Sequence, residues 1–475
     1  MSDELPEGWA TAPLDSLCDR LRGVSYQRDD ASPIPKPGHI PIVRANNIEA
    51  DALRFEDLVW IPKSRVSEKQ MIRKGDVVIA MSSGSKSVVG KTAQALDDWE
   101  GAFGAFCGVL RISPELNNRY LGMFLRTRAY RSKISELSAG SNINNLKAEH
   151  FTEIEVPLAP LAEQRRIVAK LTELLGKVDA CQQRLAKIPV LLKRFRQSVL
   201  ASACSGRLTA DWREENPNED VACLIEAVRT KRPAKFQDAS VREDLDLSEI
   251  PETWVWANLR FLLSSSEAFC YGVVQPGERD PNGVFLVRAG DLNGGRVDMS
   301  ALRRIPKRIH QEYRRSQLSG GEVLVTVVGA GIGESAIAQP ECAGFNIARA
   351  VAKLPVREFE ARYVHLWLNT SRAVTWMKGD AREVARPTLN LEQLQTLPVP
   401  VPPLAEQQEI VRRVEGLFAL ADQIEARFNK AQAQVDKLTP SLLARAFRGQ
   451  LVPQDPTDEP AATLLARLRH HTISR

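Results

Sequence analysis

PLAEQRRIV at residues 160–168 returns as PLAEQQEIV at residues 403–411, and the reading of this repeated stretch decides the fold. Both copies open like helices. Proline suits the edge of a first turn, where its missing N–H has no partner to lose, and Glu163 or Glu406 stands near the positive end of the helix dipole. Downstream, apolar residues recur at alternating spacings of four and three, from Ile167 through Leu171, Leu174, Val178 and Cys181 to Val199. The second copy keeps this register from Ile410 to Leu442. That is the a/d seam of a coiled coil, and two copies in one register are expected to pack on each other. A seam of ~33 residues spans roughly 50 Å, so each helix is a spacer as well as a core. Ser205-Gly206 and Arg448-Gly449 supply the stops, with glycine suited to a left-handed cap. Pro189 and Pro440, at non-equivalent places, should each kink or break their helix.

Outward from the helices, the rest of the chain is duplicated too. LPEGWATAPLDSL is answered by IPETWVWANLRFL, HIPIVRANNI by VFLVRAGDL, GDVVIAMSSGSKSVVG by GEVLVTVVGAGIG, and RYLGMFLRT by RYVHLWLNT. Short β-like runs between Gly, Asn and Ser turns, with one amphipathic run RYLGMFLRTRAYRSKI read as a helix, give an α+β domain in each copy. The expected fold is a tandem repeat of two α/β domains separated by two long helices packed as an antiparallel coiled coil, with pseudo-two-fold symmetry. The expected segments are residues 1–157 (first domain), 158–210 (first spacer helix), 211–248 (connector), 249–400 (second domain), 401–452 (second spacer helix) and 453–475 (tail). VACLIEAVR in the connector is echoed by AATLLARLR in the tail. The helices keep one design, whereas the loops of the domains differ in length and sequence.

Seven cysteines with no CxxC pair argue against a disulfide framework or a zinc site. MSDELPEGW lacks an apolar signal stretch, and no run approaches a membrane span, so a cytoplasmic protein without a membrane partner is expected. A net charge of +5, from 64 basic and 59 acidic residues, permits nucleic-acid binding without requiring it.

Two motifs tempt and fail. Residues 84–92, GSKSVVGKT, resemble a phosphate loop, but five residues separate the glycines where the loop needs four, and Glu334 stands in the second copy where Lys91 would. Gly329, Gly331 and Gly333 lack the third dinucleotide-binding glycine, and a tight turn between strands accounts for them. No nucleophile elbow, HExxH or adenine-methyltransferase tetrapeptide is present, so no catalytic, cofactor or metal residue is assigned. His470 and His471 read as solvated tail.

In combination, the two PLAEQ helix starts, the SGRLT and RGQLV helix ends, the GW and TW domain starts, and the glycine turns before GKTA and GESA resemble the specificity (S) subunit of Type I restriction-modification enzymes. The resemblance covers almost the whole chain. It implies a non-catalytic subunit with two target-recognition domains that reads an asymmetric bipartite double-stranded DNA sequence. It also implies two adenine methyltransferase (M) subunits and restriction/translocase (R) subunits as partners, with S-adenosylmethionine, ATP and Mg bound by those partners and no cofactor on this chain. Two positions depart from the pattern: Thr253 replaces the Gly before Trp254, and Glu334 replaces the basic residue after the second glycine turn.

Antiparallel packing of directly repeated helices places the domains at opposite ends, so each can present one face to its own half-site about one DNA turn (roughly 34 Å) away. Candidate DNA contacts are loop residues able to pair with base edges or phosphates. In the first domain these are Arg44, Asn46, Asn47, Ser83, Lys86, Lys91, Asn142 and Asn144. In the second they are Arg288, Asn293, Arg296, Arg303, Arg304, Lys307, Arg308, Arg386 and Asn390. LRRIPKRIHQEYRR, residues 302–315, is basic enough for a phosphate track. The alternative is a coiled-coil protein scaffold that never touches DNA, and salt dependence separates the two.

Overall fold

The computed structural model describes residues 5–49, 52–138, 144–241, 247–379 and 388–473. The chain divides into two compact units, Met1–Ala186 with Asn429–Arg475, and Lys187–Phe428. Each unit holds one β-rich domain, the start of the helix that follows it, and the end of the other copy's helix.

In the first unit, Val77–Ala80, buried throughout, lies inside a four-stranded sheet ordered Cys18–Arg22, Cys107–Ile112, Val77–Ala80, Thr92–Gln94. A continuous run of Val, Val, Ile and Ala has no polar face to show to water, so it belongs in a sheet interior. Beside it lies a three-stranded sheet ordered Ala102–Phe103, His39–Val43, Val59–Pro62, with a parallel pairing of Ala102 on Ile42. The second unit repeats this. Arg303–Ile305, Val284–Val287 and Asn346–Ile347 form a three-stranded sheet with Leu286 parallel to Asn346. Val323–Thr326 is central in a six-stranded sheet that gains the hairpin Leu292–Asn293 and Arg296–Val297.

The amphipathic run RYLGMFLRTRAYRSKI is two helices, Asn118–Phe124 and Arg128–Leu137. Thr127 divides them because its hydroxyl accepts the N–H of Tyr130 as an N-cap, competing with helix continuation. The glycine-rich stretches tested as phosphate loops are turns between antiparallel strands. Ala80 N–H donates to Lys91 O and Gly90 N–H to Ala80 O, as Thr326 does to Glu334 and Gly333 to Thr326.

Both domain starts are tied to the PLAEQ motif by the same bonds. Ala10–Pro13 pairs antiparallel with Glu155–Leu158, and Val255–Asn258 with Pro398–Val401. The Trp9 indole N–H donates to Glu163 at 2.9 Å and that of Trp254 to Glu406 at 2.7 Å. Gln164 accepts the backbone N–H of Asn117 and donates to Ala159 O; Gln407 likewise joins Glu360 to Pro402 O. All four side chains are buried. Thr253 keeps the role of Gly8, since each offers its carbonyl to the first residue of an appended helix, Val221 or Ala461.

The spacer helices run antiparallel within each unit. In the second, Arg196 bridges Asp422 and Glu425 while Arg213 reaches back to Glu406. In the first, Arg166 pairs with Asp458, and Ile167, Leu171 and Leu175 share a core with Leu443, Ala446 and Phe447. Gly206 and Gly449 end the helices at φ of +78° and +69°, as the stop signals require. The appended helices Val221–Thr230 and Ala461–Ile473 close onto the two cores.

Two features differ from the seam expectation. Leu175 is buried and Leu174 only half-buried, because near its start the helix packs on the globular domain and needs a stripe wider than a strict a/d seam. Cys181, Phe195, Ile424 and Leu438 in the middle are exposed. The prolines also act differently. The first spacer breaks into Leu161–Leu185 and Ile188–Cys204, with Pro189 in the first turn of the second piece. The second, Leu404–Ala446, continues through Pro440. There Asp436, which loses its i+4 donor, is exposed, so water can satisfy its carbonyl. Among the described residues no helix is long and apolar enough to cross a membrane.

Candidate nucleic-acid interface

Backbone bonds gather five separate segments at one edge of each domain. In the first, Val24 N–H donates to Phe103 O, Gly104 to Val43, Met81 to Phe106, Cys107 to Gly104 and Leu146 to Met81. In the second, Val273 donates to Ile347, Ala348 to Val287, Val327 to Ala350, Val351 to Ala348 and Leu389 to Val327. The five bonds correspond one for one. At their centre is a short turn, residues 104–107 or 348–351, between the parallel strand and the next strand of the larger sheet.

Several candidates follow directly from this crossing. Asn46 lies just beyond Val43 and is exposed, and Lys86 and Lys91 are exposed on the turn after Met81. Ser83 pairs with Asn144 in a short antiparallel bridge, and the Ser83 hydroxyl accepts the N–H of Ser85. Lys307 and Arg308 ride on Lys307–Glu312, a helix that packs through Ile309 on the small cluster containing Val273 and Ala348. Among the described residues no bond ties the side chains of Asn46, Lys86, Lys91, Lys307 or Arg308. The four cations of this set are available to a polyanion.

Other candidates already have hydrogen-bond partners inside the protein. Asn47 is buried: its amide donates to Glu56 O at 2.8 Å and its carbonyl oxygen accepts the N–H of Arg44. Arg44 is half-buried and donates to Asp57 O. Its counterpart Arg288 forks onto Asp291, whose carboxylate raises the guanidinium pKa. Arg303 donates to Gly277 O, and Arg304 donates to Gly283 O while stacking 4.0 Å over Phe285. Asn390 caps Leu391–Leu394 by accepting the N–H of Gln393. Each side chain closes a loop, which costs less than leaving its buried neighbours unpaired. Asn293 and Arg296 are exposed, but their hairpin is at the opposite edge of the six-stranded sheet from the turn. Asn142 and Arg386 lie outside the described residues, as does the side chain of Asn144.

Sequence reasoning missed the turn itself. Phe106, 71% exposed, and Arg349, also exposed, occupy the two tip positions. Aligning AFGAFC with NIARAV would have placed them, but five segments far apart in sequence are needed to show that the turn is where they meet.

A cavity of about 500 Å³ in the first domain is lined by Asp15, Asp19 and Glu149 around Arg20, a carboxylate-rich wall unsuited to phosphate. Burial pushes the Cys18 and Cys107 thiols up to about 12, so neither is a thiolate near neutrality. Among the described residues no group of three or more His, Cys, Asp or Glu is placed to hold a metal.

The comparisons agree with this duplicated frame. The model of the Type I restriction modification DNA specificity domain matches residues 6–190 and 278–432. The chain is 36% identical to the specificity subunit of the Type I restriction enzyme StySPI of Salmonella potsdam, over 98% of this chain and 96% of that one. It is equally identical, with the same coverage, to the EcoKI specificity subunit of Escherichia coli strain K12. Among solved structures, a chain from a study of assembly and conformational transition of the type I R-M system superimposes with a TM-score of 0.63 at 17% identity, covering 94% of this chain and 99% of that one. The HsdS subunit from Thermoanaerobacter tengcongensis gives 0.53 at 19%, covering 94% and 98%. With both domain starts clamped to both PLAEQ helices, and with relatives matching nearly end to end, the chain belongs to the family of Type I restriction enzyme specificity subunits.

Proposed function

We propose that this chain reads an asymmetric, two-part double-stranded DNA sequence, one half per β-rich domain, and holds the subunits that act on it. The observation that carries this reading is the contrast between an identical frame and different surfaces. The Trp–Glu and Gln bonds and the five crossing bonds repeat in both copies, whereas the side chains around the crossing differ. A shared frame with different reading surfaces is what a target with two unlike halves requires.

The chain itself is non-catalytic and cytoplasmic in this reading. Two adenine methyltransferase subunits and the restriction/translocase subunits bring S-adenosylmethionine, ATP and Mg. Val190, Leu191, Leu420 and Ile424, all exposed apolar residues of the spacer helices, support such docking, since apolar side chains on a helix surface favour a protein partner.

The test is exchange of residues 1–157 for the equivalent domain of another specificity subunit, followed by mapping of methylated adenines in cells that also express the partners. One half of the methylated sequence should change while the other stays. A change in both halves, or in neither, rejects the reading. Purified alone with S-adenosylmethionine, ATP and Mg, the chain should neither methylate nor cut DNA.

A further inference from the structure

The tip residues of the central turn stand on equivalent backbone and carry opposite chemistry. In the first domain they are Ala105 and Phe106; in the second, Arg349 and Ala350. The bonds fixing the turn match closely: Met81 to Phe106 and Val327 to Ala350 at 2.8 and 2.9 Å, Cys107 to Gly104 and Val351 to Ala348 at 2.8 and 2.9 Å. The flanking strands are buried, so the turn is held rigidly and its side chains project from a fixed base.

Exposure of Phe106 has no internal explanation. A phenylalanine left 71% exposed on a rigid turn does not stabilise its own domain, whereas Phe103, three residues earlier, is wholly buried. Ile42, Tyr26 and Arg44 pack around Gly104 at the base of the turn, Ser82 N–H also donates to Phe106 O, and Lys86 is exposed on the adjoining turn. Arg349 is likewise exposed, and among the described residues no hydrogen bond or ion pair ties its guanidinium. Lys307 and Arg308 lie on the helix that packs beside the same turn. In each domain the tip is thus the prominent side chain within a set of groups suited to a phosphate backbone.

The geometry points to Phe106 and Arg349 as specificity-determining residues, one for each half of the DNA target that the proposed function requires. Phenylalanine has no hydrogen bond to offer a base edge; what it recognises in the major groove is the 5-methyl group of thymine. Arginine recognises guanine through two parallel hydrogen bonds to O6 and N7. The half read by the first domain therefore contains a thymine against Phe106, and the half read by the second a guanine against Arg349. One rigid turn carrying an apolar side chain at its second tip position in one domain and a bidentate side chain at its first tip position in the other gives two unlike half-sites from one fold.

The experiment uses the full chain assembled with its methyltransferase subunits. Methylated adenines are mapped in cells for the parent, Phe106→Ala, Arg349→Ala and Arg349→Lys, with thermal melting of each chain to verify folding. Phe106→Ala should relax a single thymine in one half-site and leave the other half intact. Arg349→Ala should relax a single guanine in the other, lowering discrimination there by about 5- to 150-fold. Arg349→Lys should relax it nearly as far, because lysine keeps the charge but not the paired donors. In competition binding with the mapped duplex, replacing that thymine by deoxyuridine should weaken the parent and not Phe106→Ala. Unchanged methylated sequences in folded, assembled variants, or full specificity with Arg349→Lys, overturn the assignment and leave the proposed function standing. A parent complex with no sequence preference overturns both.

Discussion

Glu406 accepts the indole N–H of Trp254 at 2.7 Å while also meeting the Thr209 hydroxyl at 2.7 Å and the Arg213 guanidinium at 2.5 Å. One buried carboxylate therefore joins the start of its domain, the start of its helix and the end of the preceding helix. In the other unit Glu163 takes Trp9 and the amide of Gln454, both neutral donors, and burial raises its pKa.

That difference predicts unequal costs. Glu406→Gln leaves Arg213 without its counter-charge inside the protein, and breaking such a pair costs about 3–5 kcal/mol. Glu163→Gln keeps an acceptor for Trp9 and removes a carboxylate that burial disfavours, so its cost should stay within about 1 kcal/mol. Denaturant titration of the two variants, monitored by tryptophan fluorescence, measures both. Equal destabilisation would contradict the charge argument.

His365 gives the second unit a pH dependence. It meets the Ser335 hydroxyl and the Asn369 amide, and burial lowers its pKa from 6.5 to about 4. A depressed folded pKa means that the neutral ring favours the fold. This stabilisation is fully present above pH ~6.5 and is lost as pH falls toward 4, by about 3 kcal/mol. The first domain has Gly122 at the corresponding position and lacks this group. His365→Gln should flatten the fall in melting temperature between pH 6.5 and 4, and an unaltered pH profile would count against the assignment.

The exposed cations predict a salt signature. Removing Lys307 and Arg308 together should weaken DNA binding evenly across sequences and reduce the slope of log affinity against log salt by roughly 0.9 for each phosphate that is no longer neutralised. Asn47→Ala should instead lower stability by about 1–3 kcal/mol, because the Arg44 N–H and Glu56 carbonyl lose their partner, and leave the slope unchanged. Fluorescence anisotropy with a labelled duplex between ~50 and ~200 mM salt distinguishes them.

Spacer length is testable where the first helix is already broken. Four residues inserted between Ile188 and Pro189 add roughly 6 Å if helical. Both recognised halves should persist while the unread gap in the methylated sequence grows by one or two base pairs, at ~3.4 Å each. An assembled, active variant with an unchanged gap would mean that the helices do not fix the distance.

The sequence by itself determined the duplication, the helix starts and stops, and the main strands, because these depend on short-range chemistry. Gly206 and Gly449 adopt left-handed φ wherever the helix they end is packed, and VVIA cannot face water in any arrangement. Tertiary structure alone decided which polar residues are free. Asn46 and Asn47 are adjacent and chemically identical, yet one is exposed and the other buried against Glu56, since the loop that returns past them sets the outcome. It also decided that Pro189 restarts a helix while Pro440 is carried within one, and that Glu163 and Glu406, legible only as dipole partners, are clamps for Trp9 and Trp254. The Phe106 and Arg349 tips belong to the same class. A side chain is available to a ligand only if no distant part of the chain has used its polar groups or covered its surface, and that depends on which segments the fold brings together.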